Sequence, residues 1–87
     1  MSTEILGRDY LGNLRVVAIS FVAAGSETNI TTTLNNIDYF VAGPKSVATS
    51  FYTMKQNEDS SGTASLGGIG VSGCAAGDEF HIIAYGH

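Results

Sequence analysis

Short runs of apolar and β-branched residues recur along the chain at intervals of about 8–12 residues, with turn-forming residues between them. The longest run, "LRVVAISFVAA", spans residues 14–24 and ends at the polar stretch "GSETN". No segment keeps apolar residues at helical spacing for three turns. The pattern predicts an all-β fold, namely a small antiparallel β-sandwich or partly open barrel of about six strands. The predicted strands cover residues 14–24, 30–34, 37–42 (stopped by Gly43-Pro44), 46–56, 63–71 and 79–87.

The first thirteen residues precede this pattern, and Gly7 and Gly12 interrupt them. We interpret residues 1–13 as an extended N-terminal arm and residues 14–87 as a single β domain. Four large apolar residues in so short a segment predict that the arm docks on a neighbouring surface. They are Ile5, Leu6, Tyr10 and Leu11.

Several predicted strands are apolar on both faces, whereas a half-buried strand alternates apolar and polar residues. The first strand places Val16 and Ala18 on one face, and Val17, Ile19 and Phe21 on the other. The predicted strands at 37–42 and 46–56 are two-sided in the same way. A small sandwich covers one face of each sheet, so the spare face is predicted to meet the arm, a twin subunit or another protein.

The last predicted strand, "EFHIIAYGH", contains both histidines of the chain. Alternation assigns Phe80, Ile82 and Ala84 to the core. The opposite, outward face contains Glu79, His81, Ile83, Tyr85 and His87. The two histidines are six residues apart, roughly 20 Å along a strand, so they cannot share an ion. Since a closed metal site normally needs four ligands, no metal is predicted, and any role of this face is expected at a contact with another chain.

Other candidate chemical motifs favour structural interpretations. The glycines of "GGIG", residues 67–70, precede no helix, which predicts bulge or tight-packing glycines rather than a phosphate loop. The single cysteine, Cys74, lies in a turn of small residues and is predicted to be a small, partly buried thiol. The acidic pairs at 58–59 and 78–79 are predicted to be solvated loop charges, because neighbours on a strand point to opposite faces. Neither catalytic residues nor a cofactor are expected.

Charge and hydropathy argue against two classes of partner, nucleic acids and membranes. The chain has four basic and eight acidic side chains, a net charge of −4, and its basic residues are scattered along the sequence. This is not the basic footprint of a nucleic-acid-binding protein. The longest apolar run has about half the length that a membrane helix needs, and the N-terminus lacks the pattern of a secretory signal. We therefore expect no membrane partner and synthesis in a reducing cytoplasm.

Three segments carry a resemblance to a class of known proteins. They are "DYLGNLRVVAISFVA", "ITTTLNNIDYFVAGPK" and "SGCAAGDEFHIIAYGH". In layout and composition, residues 9–87 resemble the very small all-β virion structural proteins of tailed bacteriophages. The resemblance implies a capsid decoration or cement protein, made in the bacterial cytoplasm and located in the virion. It implies self-association, most often as a homotrimer, and binding to the major capsid protein or another virion protein.

The residues predicted to lie at interfaces combine the arm with aromatic and outward-facing positions. They are Ile5, Leu6, Tyr10, Leu11, Phe21, Tyr39, Tyr52, His81 and Tyr85. Two alternatives stay open: a phage neck, tail or fibre-associated component, and a glycan- or receptor-binding module. The module would use exposed tyrosines with Asn35, Asn36 and Asp38 around a shallow groove. An enzyme, such as a small hydrolase using His81, is not expected.

Overall fold

The structure is a computed structural model that describes residues 2–25, 27–46 and 52–87. These residues form strands, turns and loops without any helix, which confirms the prediction of an all-β fold. The strands are β1 (Ser2–Leu11), β2 (Leu14–Val22), β3 (Glu27–Thr31), β4 (Ile37–Ser46), β5 (Thr53–Glu58), β6 (Ala64–Ser72) and β7 (Glu79–Gly86). Residues 47–51 of the fourth predicted strand lie outside the described residues.

The strands form two antiparallel sheets that share one core. A four-stranded sheet has the order β1-β2-β7-β4, and a three-stranded sheet has the order β3-β6-β5. Every adjacent pair is antiparallel. Since the buried apolar residues come from both sheets, the two sheets are packed face to face, as in a β-sandwich.

The described residues contain seven strands rather than six, because residues 2–11 form β1 instead of the predicted arm. β1 and β2 are joined by a two-residue turn at Gly12 and Asn13. Gly12 has a φ of 62° at the first central position, where a type II′ hairpin turn requires glycine. β1 is an edge strand, and a bulge between Ile5 and Gly7 leaves Leu6 outside the ladder.

The alternation predicted for the first and last strands is confirmed by their burial. The inward residues are Val17, Ile19 and Phe21 of β2, and Phe80, Ile82 and Ala84 of β7. Ile30, Ile69 and Val71 of the three-stranded sheet complete the centre of the core. Each large apolar side chain buried in this way stabilises the fold by about 1.5–3 kcal/mol.

Phe21 is a core residue, which corrects its prediction as an interface anchor. Its side chain is 0% exposed and stacks on Phe80 with ring centroids 6.3 Å apart. The two phenylalanines occupy paired positions of β2 and β7. Phe21 therefore has no surface to offer a partner.

The strand β4 departs from the sequence prediction in two places. It does not stop at Gly43 and Pro44 but continues to Ser46. Pro44 is tolerated because β4 is an edge strand, where a missing N–H breaks no ladder bond. A bulge at Asp38 also turns Ile37 inward, whereas regular alternation would place it on the same face as Tyr39.

Side-chain amides of β5 form hydrogen bonds to the start of β4 and so connect the two sheets. Asn57 Oδ1 accepts hydrogen bonds from the backbone N–H of Ile37 and of Gly67, and its Nδ2 donates to the Ile37 carbonyl. Gln56 Nε2 donates to the carbonyls of Ile37 and Asp38. Asn57 also adopts a φ of 57°, a left-handed conformation that asparagine tolerates better than most residues.

The glycines of "GGIG" confirm the prediction of tight packing. Gly67 has a φ of 81°, and a Cβ built there would lie 1.9 Å from the Leu34 carbonyl oxygen. A Cβ on Gly70 would lie 2.3 Å from the carbonyl group of Asp59. Neither position can take a side chain without movement of the neighbouring backbone.

Two acidic residues have structural roles in turns. Asp59 Oδ1 accepts hydrogen bonds from the N–H groups of Thr63 and Ser61. These bonds, that from Thr63 foremost, hold the pKa of Asp59 below its ordinary value. Asp78 is buried and accepts from the N–H of Ala75, so its prediction as a solvated loop charge was wrong.

Replacing Gly70 with alanine is expected to destabilise the protein by about 1–3 kcal/mol, because the new methyl group overlaps backbone atoms of Asp59. The measurement is chemical denaturation of the wild type and the variant. Gly43→Ala on the edge strand β4 is the matched control, since a Cβ there meets nothing within 4 Å. Equal unfolding midpoints for the two variants would contradict the close packing at Gly70.

Replacing Asn57 with glycine keeps the left-handed conformation and removes three hydrogen bonds. We expect a loss of about 2–4 kcal/mol, at roughly 1 kcal/mol for each bond plus the entropy cost of glycine. Thr33→Gly is the control, because Thr33 is exposed and also has a positive φ, of 70°. Chemical denaturation should show that the Thr33→Gly variant is as stable as the wild type or slightly more stable. An Asn57→Gly variant as stable as Thr33→Gly would contradict a stabilising role for the Asn57 hydrogen bonds.

Candidate interaction surface on the four-stranded sheet

The side of the four-stranded sheet that points away from the three-stranded sheet is apolar at its centre; we call it the outer face. Strand register sets its side chains in rows across the sheet. One row runs Val16, Tyr85, Tyr39, and the next runs Ala18, Ile83, Val41. Both rows combine β2, β7 and β4, which are distant in sequence.

Much of this apolar surface is open to solvent. Val41 is 60% exposed, Tyr39 44% and Ile83 42%, whereas the remaining members of the two rows are half-buried by their neighbours. Leu11 and Leu14, paired at the turn of the β1–β2 hairpin, lie at the end of the sheet beyond Val16. Contiguous apolar surface of this kind on a monomer commonly marks an interaction site.

The two tyrosines of the outer face stand side by side. The rings of Tyr39 and Tyr85 are stacked with centroids 4.4 Å apart and planes 16° apart. Each ring therefore covers one face of the other. This geometry rigidifies the outer face at a position where aromatic side chains often anchor a partner.

Charged and polar side chains border the apolar centre. Lys45 Nζ lies 3.3 Å from Glu79 Oε2 at one end of β4 and β7, and His87 Nε2 lies 3.3 Å from Asp38 Oδ2 at the other. The next row along the sheet contains the polar side chains of Ser20 and His81. Both ion pairs are exposed, so each contributes less than about 1 kcal/mol to stability. A polar border around an apolar centre is the usual anatomy of a protein interface.

The residues predicted for interfaces fall into three groups. Tyr39, His81 and Tyr85 lie on the outer face. Leu6, Tyr10 and Leu11 are exposed on β1, whereas Ile5 and Tyr52 pack against the core, the latter with its ring edge-on to Phe80 at 4.7 Å. Phe21 is buried, as described above. Six of the nine predicted residues are therefore available to a partner.

Sequence reasoning missed Val41 and Ile83 as members of the candidate surface. Alternation placed Ile83 on the outward face beside His81 and Tyr85, and Val41 on the same face as Tyr39. That signal was present but was passed over in favour of aromatic residues. Nothing in the sequence indicates that β4 and β7 are neighbours, so their joint patch was not predictable.

No group of three His, Cys, Asp or Glu side chains among the described residues could hold a metal ion. Cys74 is buried, rather than partly buried as predicted, and its Sγ lies 3.0 Å from the Gly25 carbonyl oxygen. The described part of the chain contains no helix long and apolar enough to cross a membrane.

Two of the scattered basic residues come together on the opposite side of the β1–β2 hairpin. Arg8 and Arg15 line one cavity of about 440 Å³ with Tyr10. Arg8 is paired with Val17, and Tyr10 with Arg15, so the arginines are diagonal neighbours on adjacent strands. Asp9 lines the same cavity and offsets part of their charge.

Comparison with protein-family models, with curated proteins and with solved structures gives no match to this chain. The resemblance to phage virion proteins therefore rests on the layout of the sequence alone.

Removing one ring of the stacked pair tests the rigidity of the outer face. Tyr85→Ala is expected to lower the free energy of unfolding by about 2–4 kcal/mol, because it removes a half-buried ring and its stacking on Tyr39. Tyr10→Ala is the control, since Tyr10 is 71% exposed, and its effect should stay within about 0.5 kcal/mol. Denaturation of both variants at low protein concentration gives the comparison, and equal losses would contradict this account of the pair.

Proposed function

We propose that this chain is a structural, non-catalytic component of a larger protein assembly. Following the resemblance of its sequence, we assign it as a virion structural protein of a tailed bacteriophage, most simply a capsid decoration protein that associates with itself and stabilises the shell. It would be made in the host cytoplasm and act in the virion. The observation that carries the proposal is the exposed apolar outer face, centred on Val41, Tyr39 and Ile83.

The physical mechanism is burial of this face against neighbouring protein. Burying its apolar side chains contributes about 25 cal/mol for each Å² removed from water. Association costs about 4–15 kcal/mol in lost translational and rotational freedom, so one small contact is only moderately stable. Many identical copies on a repeating shell overcome this limit through multivalency.

The β1–β2 hairpin offers a second contact. Leu6 is 55% exposed, Leu11 59% and Tyr10 71%, and all three lie on the edge strand β1. Leu11 extends the outer face at the hairpin turn, whereas Tyr10 lies on the opposite side of β1, so the hairpin can contact protein on both of its sides. In a phage neck, tail or fibre, the same contacts would serve the same purpose.

A glycan-binding module is less well supported by the geometry. A sugar ring stacks on an open aromatic face, whereas Tyr39 and Tyr85 each cover one face of the other. Asp38 Oδ2, which the module would use, already lies 3.3 Å from His87 Nε2. Tyr52 is turned to the core and does not extend the same surface.

The test is mass spectrometry of purified phage particles, paired with incorporation of tagged variants. We expect many copies of the chain in each particle and a loss of incorporation of at least tenfold for Ile83→Lys. Leu66→Lys is the matched control, because Leu66 is 74% exposed on the three-stranded sheet and should be incorporated normally. Absence of the chain from particles, or equal incorporation of both variants, would overturn the proposal.

A further inference from the structure

The outer face is divided by side-chain size along the line between β2 and β7. β4 and β7 present the large side chains, namely Tyr39, Val41, Ile83 and Tyr85. In the same two rows, β2 presents Val16 and Ala18, and β1 presents Asp9 and Gly7. One half of the face therefore projects and the other half is recessed.

We propose that a second copy of this chain docks on the outer face through a two-fold axis parallel to the strands, between β2 and β7. This rotation preserves each row and reverses its order. It sets Ile83 over Ala18 of the second copy and Val41 over Gly7 of the second copy, and the reverse contacts follow by symmetry. The projecting half of each copy fills the recessed half of the other, as an isologous interface requires.

The polar groups at the border complement each other under the same rotation. Tyr39, at the end of its row, comes to lie over Asp9 of the second copy, where its phenol can donate a hydrogen bond to the carboxylate. In the next row, His81 comes to lie over Ser20 of the second copy, and Gly43 over Glu4 of the second copy.

Pairing through the sheet edge at β4 is a weaker alternative, because Pro44 lacks an N–H and the carbonyls of Ile37 and Asp38 are already bonded to Gln56 and Asn57.

This inference rests on the proposed function and names a partner for the same face. The dimer and the virion role can each be wrong without the other. A monomer that enters virions through the outer face would keep the proposed function and overturn the inference. A dimer that is absent from virions would do the opposite. The resemblance implies a trimer, whereas an isologous contact gives a dimer, so the stoichiometry is decisive.

Sedimentation equilibrium over a range of concentrations tests the stoichiometry. The wild type should give twice the chain mass of 9.1 kDa, and Ile83→Lys and Ala18→Arg should each weaken self-association at least tenfold. Leu66→Lys should match the wild type, and circular dichroism confirms that each variant is folded. A wild-type monomer at 100 µM, a trimer, or a folded Ile83→Lys variant that dimerises as well as the wild type would overturn the proposal.

A mixing experiment tests the geometry itself. Val41→Lys and Gly7→Glu are each expected to weaken the homodimer, and an equimolar mixture should recover association, because each new lysine then faces a new glutamate. Gly7 can take this substitution, since it has no positive φ and a Cβ there meets nothing within 4 Å. A mixture no tighter than the separate variants would rule out the placement of β4 over β1.

Discussion

The pairing of β2 with β7 is the constraint on which the rest of the structure depends. Its register sets Phe21 against Phe80 and Ile19 against Ile82 inside the core. The same register sets Val16 beside Tyr85 and Ala18 beside Ile83 outside. In most sheets a one-residue slip would expose the core face and is strongly disfavoured. Here both faces are apolar, so hydrophobicity alone holds the register weakly.

Backbone hydrogen bonds at the two ends of β7 fix the register that hydrophobicity holds only weakly. At its start, the N–H of Ala23 donates to the Asp78 carbonyl, and the N–H of Gly77 donates to the Ala23 carbonyl. At its end, the N–H groups of Asn35 and Asn36 donate to the His87 carbonyl. Because a slip would break all of these bonds, the apolar outer face is compatible with a single register.

The sequence was most informative where side-chain alternation was regular. It predicted the core residues of β7 and both faces of β2, and it predicted that a second apolar face must be covered. It was less informative at the bulge at Asp38, which turns Ile37 inward and is set by the hydrogen bonds of Asn57 from another strand. The sequence "LGNL" is typical of a tight hairpin turn, yet residues 1–13 were interpreted as an extended arm because Gly7 and Gly12 interrupt them.

The sequence predicted that a second surface must be covered, but it did not predict which residues form that surface. Alternation indicated that His81 and Tyr85 point outward. The order β1-β2-β7-β4 joins strands from the two ends of the chain, and no local pattern encodes that neighbourhood. Phe21 shows the limit most clearly, because an aromatic residue on a two-sided strand is equally consistent with the core and with an interface until the register is known.

Hydroxyl-radical footprinting across a concentration series tests most directly whether the outer face is covered by protein. The account predicts that oxidation of Tyr39, Val41 and Ile83 falls several-fold as the chains associate, while oxidation of Leu66 stays constant. Unchanged oxidation of Tyr39, Val41 and Ile83 from the most dilute to the most concentrated sample, and in any assembled particle, would contradict it.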